Sequence, residues 1–92
     1  MNFSLDHIEE VYGKSTITVI KDDLDLFINN INYLSKLGFN HVEDLVELYP
    51  YSFLQQEDIF QDKVNNLMEK LGVESVEKIM SNTELWSDVD ES

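Results

Sequence analysis

Apolar side chains recur through the first half of this chain at spacings of three and four. Ile17, Ile20, Leu24, Phe27, Ile31 and Leu34 follow steps of 3, 4, 3, 4 and 3. That rhythm places all six on one face of an α-helix, and Leu37 and Gly38 close the run. Two readings of its start stand side by side. Residues 15–20 are rich in β-branched side chains and alternate loosely, so they could form a short strand. In that case the helix begins near Asp22, with Asp22 or Asp23 as its cap. The unbroken phase from Ile17 into Phe27 favours helix throughout.

The remaining punctuation predicts further helices. Ser4 can cap a short helix over Leu5–Tyr12, with Asp6 in its first turn, where a negative charge suits the helix dipole, and Gly13 to end it. Asn40 followed three positions later by Glu43 makes a capping-box pattern, and Val42, Leu45, Val46 and Tyr49 supply the apolar side. Pro50 stops that helix, because its ring blocks continuation and disfavours α geometry at Tyr49. Tyr51, Phe53 and Leu54 then form an apolar clip that suits one turn of 3₁₀ helix.

A longer helix runs from Glu57 to Leu71, with Ile59, Phe60, Val64, Leu67, Met68 and Leu71 facing inward and Gly72 as its stop. Ser75 is placed to cap a last short helix carrying Val76, Ile79 and Met80, and Leu85 and Trp86 follow. The expected fold is all-α. It is a small bundle of about five helices, built from two helix–Gly–helix hairpins plus an N-terminal helix. Residues 1–86 form one helical domain, and residues 87–92 form a short acidic tail expected to be disordered.

The second half echoes the middle at an offset of 34. Asn32, Lys36, Leu37, Gly38, Val42 and Glu43 fall on Asn66, Lys70, Leu71, Gly72, Val76 and Glu77, and Leu45 and Val46 fall on Ile79 and Met80. A period of this size suits stacked helix pairs, although limited helix punctuation alone can make two hairpins look alike. The stretch Leu37-Gly38-Phe39 through Leu45, Tyr49-Pro50 and Phe53-Leu54 resembles the repeat of the mitochondrial transcription termination factor family, over residues 31–86. The resemblance implies a helical solenoid that binds nucleic acid through a basic concave face. The second copy departs from it, with Thr83 and Glu84 near the place of the proline.

Charge departs from what that resemblance implies. The 92 residues carry 19 acidic and 6 basic side chains, a formal net charge of −13. Nucleic-acid affinity comes chiefly from Lys and Arg releasing counterions, so direct binding to a phosphate backbone is not expected, nor is binding to anionic membranes. A basic partner is favoured by charge, though acidity also serves simple solubility. All six basic residues are lysine, and arginine and alanine are absent. With abundant Asn and Ile, this composition resembles the output of an AT-rich genome, such as a low-GC bacterium or its phage.

A chain this short buries only about 60–65% of its unfolded surface, so its core is thin. The 42% hydrophobic content still suits a folded globule. With no cysteine there are no disulfides, no thiolate catalysis and no cysteine-based zinc site, and a cytoplasmic location is expected. Nothing resembles a membrane span or a signal peptide.

Candidate chemistry is sparse. His7 with Glu10, and His41 with Asp44, have the i, i+3 spacing of helical metal ligands, but both pairs lie near helix starts where polar residues belong anyway. Asp22-Asp23-Leu24-Asp25 opens like a calcium loop without the glycine and terminal glutamate such a loop needs. The three glycines are isolated, so no phosphate loop exists. No catalytic residue, metal or cofactor is expected.

What remains is a surface for another protein. Asp22, Asp23 and Asp25 on one helix, and Glu43, Asp44 and Glu47 on the next, form candidate acidic faces. Tyr51 and Trp86 are candidate aromatic contacts, with at least one of them expected to be partly exposed. The expected role is an inhibitor or adaptor for a basic nucleic-acid-handling protein such as a nuclease, its carboxylates imitating phosphates. Two alternatives are a helical module that pairs with its own copy through the 17–34 stripe, and a nucleic-acid-associated helical repeat.

Overall fold

The computed structural model describes residues 5–90, and all regular structure among them is helical. In chain order the α-helices are α1 (Leu5–Tyr12), α2 (Lys14–Asp22), α3 (Leu24–Lys36), α4 (Val42–Leu48), α5 (Glu57–Leu71), α6 (Ser75–Ser81) and α7 (Ser87–Asp90). A first 3₁₀ turn, Pro50–Leu54, lies between α4 and α5, and a second, Thr83–Trp86, lies between α6 and α7. The all-α class holds. The helices exceed the five expected because the long stripe is divided and the acidic tail folds.

The division falls at Asp23. Residues 15–20 are helical, not a strand, yet α2 ends at Asp22 and Asp23 leaves helical geometry with φ −120° and ψ 38°. The join stays tight. The Asp23 N–H donates to Val19 O at 3.3 Å, and Asp23 O accepts from the Phe27 N–H at 3.0 Å. A straight rod from Lys14 to Lys36 would be about 34 Å long, nearly the full 38 Å length of the molecule. Bending at Asp23 lets Ile17 and Ile20 reach the same core as Phe27, Ile31 and Leu34, all of them buried. Leu24 sits on the bend and is turned outward. Five of the six stripe residues are thus buried within the chain itself.

Downstream of the bend the element order repeats. α3, α4 and a 3₁₀ turn are followed by α5, α6 and a 3₁₀ turn. The two turns meet in the core. The Trp86 Nε1–H donates to Ser52 Oγ at 3.0 Å across 34 positions of sequence, and the Trp86 ring stacks on Phe53 with centroids 5.9 Å apart. Phe39 and Phe60 meet the same indole edge-on, each at 6.1 Å.

A polar clamp fixes the first turn in place. Asn30 is fully buried, and its Nδ2 donates to Phe53 O at 2.8 Å and to Gln55 O at 2.9 Å. Gln55 Nε2 in turn donates to Ser52 O at 3.0 Å and Val89 O at 2.8 Å. A 3₁₀ turn leaves several carbonyls without helical partners, and these side chains satisfy them.

Several local expectations are corrected. The helix after Asn40 starts at Val42 with His41 as the preceding residue, and no side-chain cap bond forms there. Likewise Ser75 is the first residue of α6, buried, with Glu74 ahead of it and no side-chain cap bond. Ile59 faces solvent, because α5 buries the narrower stripe of Phe60, Val64 and Leu67. The acidic tail was expected to fray, but Ser87–Asp90 forms α7 with Val89 fully buried. The expected Ser4 cap and the last two residues of the tail lie outside the described residues.

Gly72 ends α5 with φ 88° and ψ −153°, a backbone region essentially reserved for glycine. A Cβ added there would meet nothing within 4 Å, so substitution carries a purely conformational cost. Gly72→Ala is expected to lower stability by about 1–3 kcal/mol, read as a shift of the urea midpoint at unchanged slope. A neutral result would mean that the α5–α6 turn adopts another geometry.

Candidate interaction surfaces

Every carboxylate among the described residues is exposed or half-buried, and none enters the core. The lysines are treated differently. Lys63 donates to Gln55 Oε1, Lys70 pairs with Asp88 at 3.4 Å, and Lys78 donates to Leu71 O at 2.7 Å. Half of the positive side chains are thereby drawn onto the protein's own acceptors. Lys70 meets a carboxylate and Lys78 a backbone carbonyl, and with 19 acidic against 6 basic side chains the chain keeps a large negative excess.

The predicted acidic residues fall into two groups. Asp22, Asp23 and Asp25 cluster at the exposed bend between α2 and α3, around a surface concavity also lined by Lys21, Leu24 and Leu26. Glu43, Asp44 and Glu47 lie on α4, where Asp44 is exposed and both glutamates are half-buried. His41 Nδ1 lies 3.6 Å from Glu43 Oε1, so the histidine neighbours Glu43 and not the Asp44 that its spacing suggested.

A third acidic row was not anticipated. Asp58, Asp62 and Glu69, with Asn65 between them, occupy the side of α5 opposite Phe60, Val64 and Leu67, and all four are exposed. Their steps of 4, 3 and 4 obey the rhythm that identified the apolar stripes. Applying the helical period to charges as well as to hydrophobic residues would have found them.

The two candidate aromatics part company. Tyr51 is 48% exposed, whereas Trp86 is 0% exposed at the centre of the ring cluster and is unavailable to any partner of the folded protein. Trp86 therefore belongs to the core, for a reason hidden in the sequence: its N–H finds Ser52, which removes the usual cost of burying an indole donor.

Around Tyr51 lies a small patch that sequence reasoning missed. The Tyr12 hydroxyl donates to Leu48 O at 2.6 Å, bridging the end of α1 to the end of α4. Thr16 Oγ1 and Tyr51 Oη share a hydrogen bond of 2.7 Å, bridging α2 to the first 3₁₀ turn. Thr16 Oγ1 also reaches Tyr12 O at 3.5 Å. The Tyr12 hydroxyl's pKa is raised above its ordinary value, first by partial desolvation and then by the electrostatic influence of Asp90 and Tyr49 nearby. No pattern in the chain pairs residues 12 and 48 or 16 and 51, since each pair joins different helices over more than thirty positions.

Elsewhere, a groove of about 540 Å³ opens between α3 and α5, lined by Asn29, Asn32, Tyr33, Lys36, Glu57 and Gln61 among others. Its amides and single charges of each sign provide no convergent acid–base pair. Among the described residues no three His, Cys, Asp or Glu side chains gather so as to hold a metal ion. No helix among them is long and apolar enough to cross a membrane. No protein-family model, curated protein or solved structure matches the chain.

Proposed function

We propose that the chain is an acidic protein-interaction module, an inhibitor or adaptor that docks on a basic nucleic-acid-handling protein and acts in the cytoplasm of a bacterial or phage-infected cell. The observation that carries this reading is the division of charge. Carboxylates stand outward on rigid helices, while three of the six lysines are tied to the chain's own acceptors. The row on α5 supports it further. Its carboxylates, Asp58, Asp62 and Glu69, are separated by about 6 and 10.5 Å along the helix axis, roughly two and three times the ~3.4 Å axial step of phosphates along a duplex strand.

Such a surface can occupy a groove built for a nucleic-acid backbone. Complementary charge speeds the encounter and makes it sensitive to salt. Small acidic proteins of phages and mobile elements that block restriction or CRISPR nucleases share this size and charge. That likeness makes a nuclease the first partner to test.

The test is affinity capture from the host cell at low and at high salt, with a gel-shift assay on duplex DNA alongside. The expected result is recovery of a basic nucleic-acid-handling protein that washes off at high salt, and no shift of DNA by the purified chain. Tight DNA binding at low salt, or a neutral partner retained regardless of salt, would overturn the proposal.

A further inference from the structure

The exposed apolar side chains are mostly scattered, but three of them, Tyr12, Leu48 and Tyr51, converge where the α1–α2 hairpin meets the end of α4. Tyr12 is 36%, Leu48 51% and Tyr51 48% exposed. The hydrogen bonds from Tyr12 to Leu48 O and between Thr16 and Tyr51 join these residues into one surface drawn from α1, α2, α4 and the first 3₁₀ turn. The other exposed apolar side chains among the described residues are Val11 and Val19 on the hairpin, Leu24 on α3, Ile59 on α5 and Val73 in the α5–α6 turn.

We infer that this Tyr12–Leu48–Tyr51 patch is the anchoring point for a cationic amphipathic segment of the partner, which seats an apolar side chain against Leu48 and the tyrosine rings. The inference rests on the reading of the chain as an acidic docking module and says where on it the contact is centred.

Three features select that occupant. Both tyrosine hydroxyls are engaged within the chain, so the patch offers a partner ring surface and aliphatic surface. The rings are held in place, and little side-chain freedom is left to lose on binding. The surroundings are acidic. Asp44 and Glu47 precede Leu48 on α4, and the charge of Asp90 reaches Tyr12, while Lys14 is the adjacent cation in the sequence. An apolar centre with a charged margin is the layout of a protein-binding hot spot. A negative margin with exposed tyrosine faces favours lysine or arginine, through charge and through cation–π attraction.

The test uses two synthetic peptides of equal length and charge, one of lysine and leucine and one of lysine and serine. Each is titrated into the isotopically labelled chain at physiological salt. The lysine–leucine peptide is expected to shift the amides of residues 11–16 and 47–51 and to bind at least about tenfold more tightly than the lysine–serine peptide. Leu48→Ser, which removes none of the hydrogen bonds, should reduce that preference severalfold, and Leu48→Ser with Tyr51→Ser should abolish it. Val73→Ser serves as the exposed control and should change nothing.

Equal binding of the two peptides, or a preference that survives both substitutions, overturns the patch while leaving the acidic module standing. Shifts concentrated on the α5 row do the same. Failure of both peptides to bind overturns both readings together.

Discussion

Trp86→Ala is expected to lower the unfolding free energy by about 3–5 kcal/mol. The indole is fully buried, stacked on Phe53 and met edge-on by Phe39 and Phe60, with its N–H bonded to Ser52. Truncation leaves a cavity at the one place where both 3₁₀ turns and the ring cluster come together. For a domain of this length total stability is on the order of 5–14 kcal/mol, so the loss is a large fraction of what holds the chain folded. Urea unfolding followed by far-ultraviolet circular dichroism measures it. Trp86→Phe, which keeps a ring but removes the donor, should cost less, about 1–3 kcal/mol. A loss below about 1 kcal/mol for the alanine variant would place the indole outside the core.

Asn30→Asp is expected to destabilise by a comparable amount at neutral pH, and the loss should depend on pH. The amide nitrogen of Asn30 lies 2.8 Å from Phe53 O and 2.9 Å from Gln55 O. An ionised carboxylate would set negative oxygens against those two carbonyls in a buried site. Leaving a buried charge unpaired costs about 3–5 kcal/mol, unless the acid takes up a proton instead. Its folded-state pKa is therefore raised above the ordinary ~3.9 of the unfolded chain.

The folded variant then holds a proton that the unfolded chain has released. Its stability relative to the native sequence falls as pH rises above about 4, until the folded acid itself ionises, and is constant beyond that. The loss should be smallest below pH ~4, where the neutral acid can still donate one of the two bonds. Urea midpoints of both proteins at acid and neutral pH test this. A penalty that does not change with pH would mean that residue 30 is solvated.

Much of the fold was readable because it is written in local terms. The bounds of α5 follow from Glu57 to the stop at Gly72, and Pro50 marks where α4 gives way to a 3₁₀ turn. The bend at Asp23 was not readable, since the apolar rhythm runs through it unchanged and neither glycine nor proline stands there. What breaks the helix is the need for two short rods to press on one small core, a tertiary demand that no window of sequence contains. The capping patterns at Asn40 and Ser75 failed for a related reason. Packing of Val42 and Ser75 into the core sets where those helices begin, ahead of the local hydrogen bond.

Of the site, the acidic groups on the α2–α3 bend and on α4 were read from composition and order. The row on α5 and the tyrosine patch were not, the first because the period was applied only to apolar residues. The patch depends on which helix ends meet in space. Trp86 shows the converse: residue type suggested a surface contact, and a single distant hydroxyl on Ser52 made burial the better outcome.

The hydrogen bonds from Tyr12 to Leu48 O and between Thr16 and Tyr51 run between the N-terminal hairpin and the rest of the molecule, so they link occupancy of the patch to motion of the hairpin. Proteins open locally as well as globally, in contiguous units such as a helical hairpin. Tyr12 and Thr16 stand on the hairpin side of that join, while Leu48 and Tyr51 stand on the other. Each excursion of the hairpin thus pulls the patch apart, and any ligand that touches both sides must suppress the excursion by mass action. A bound molecule would thus add its own clasp to one already made of two side-chain hydrogen bonds and three buried isoleucines, Ile8, Ile17 and Ile20.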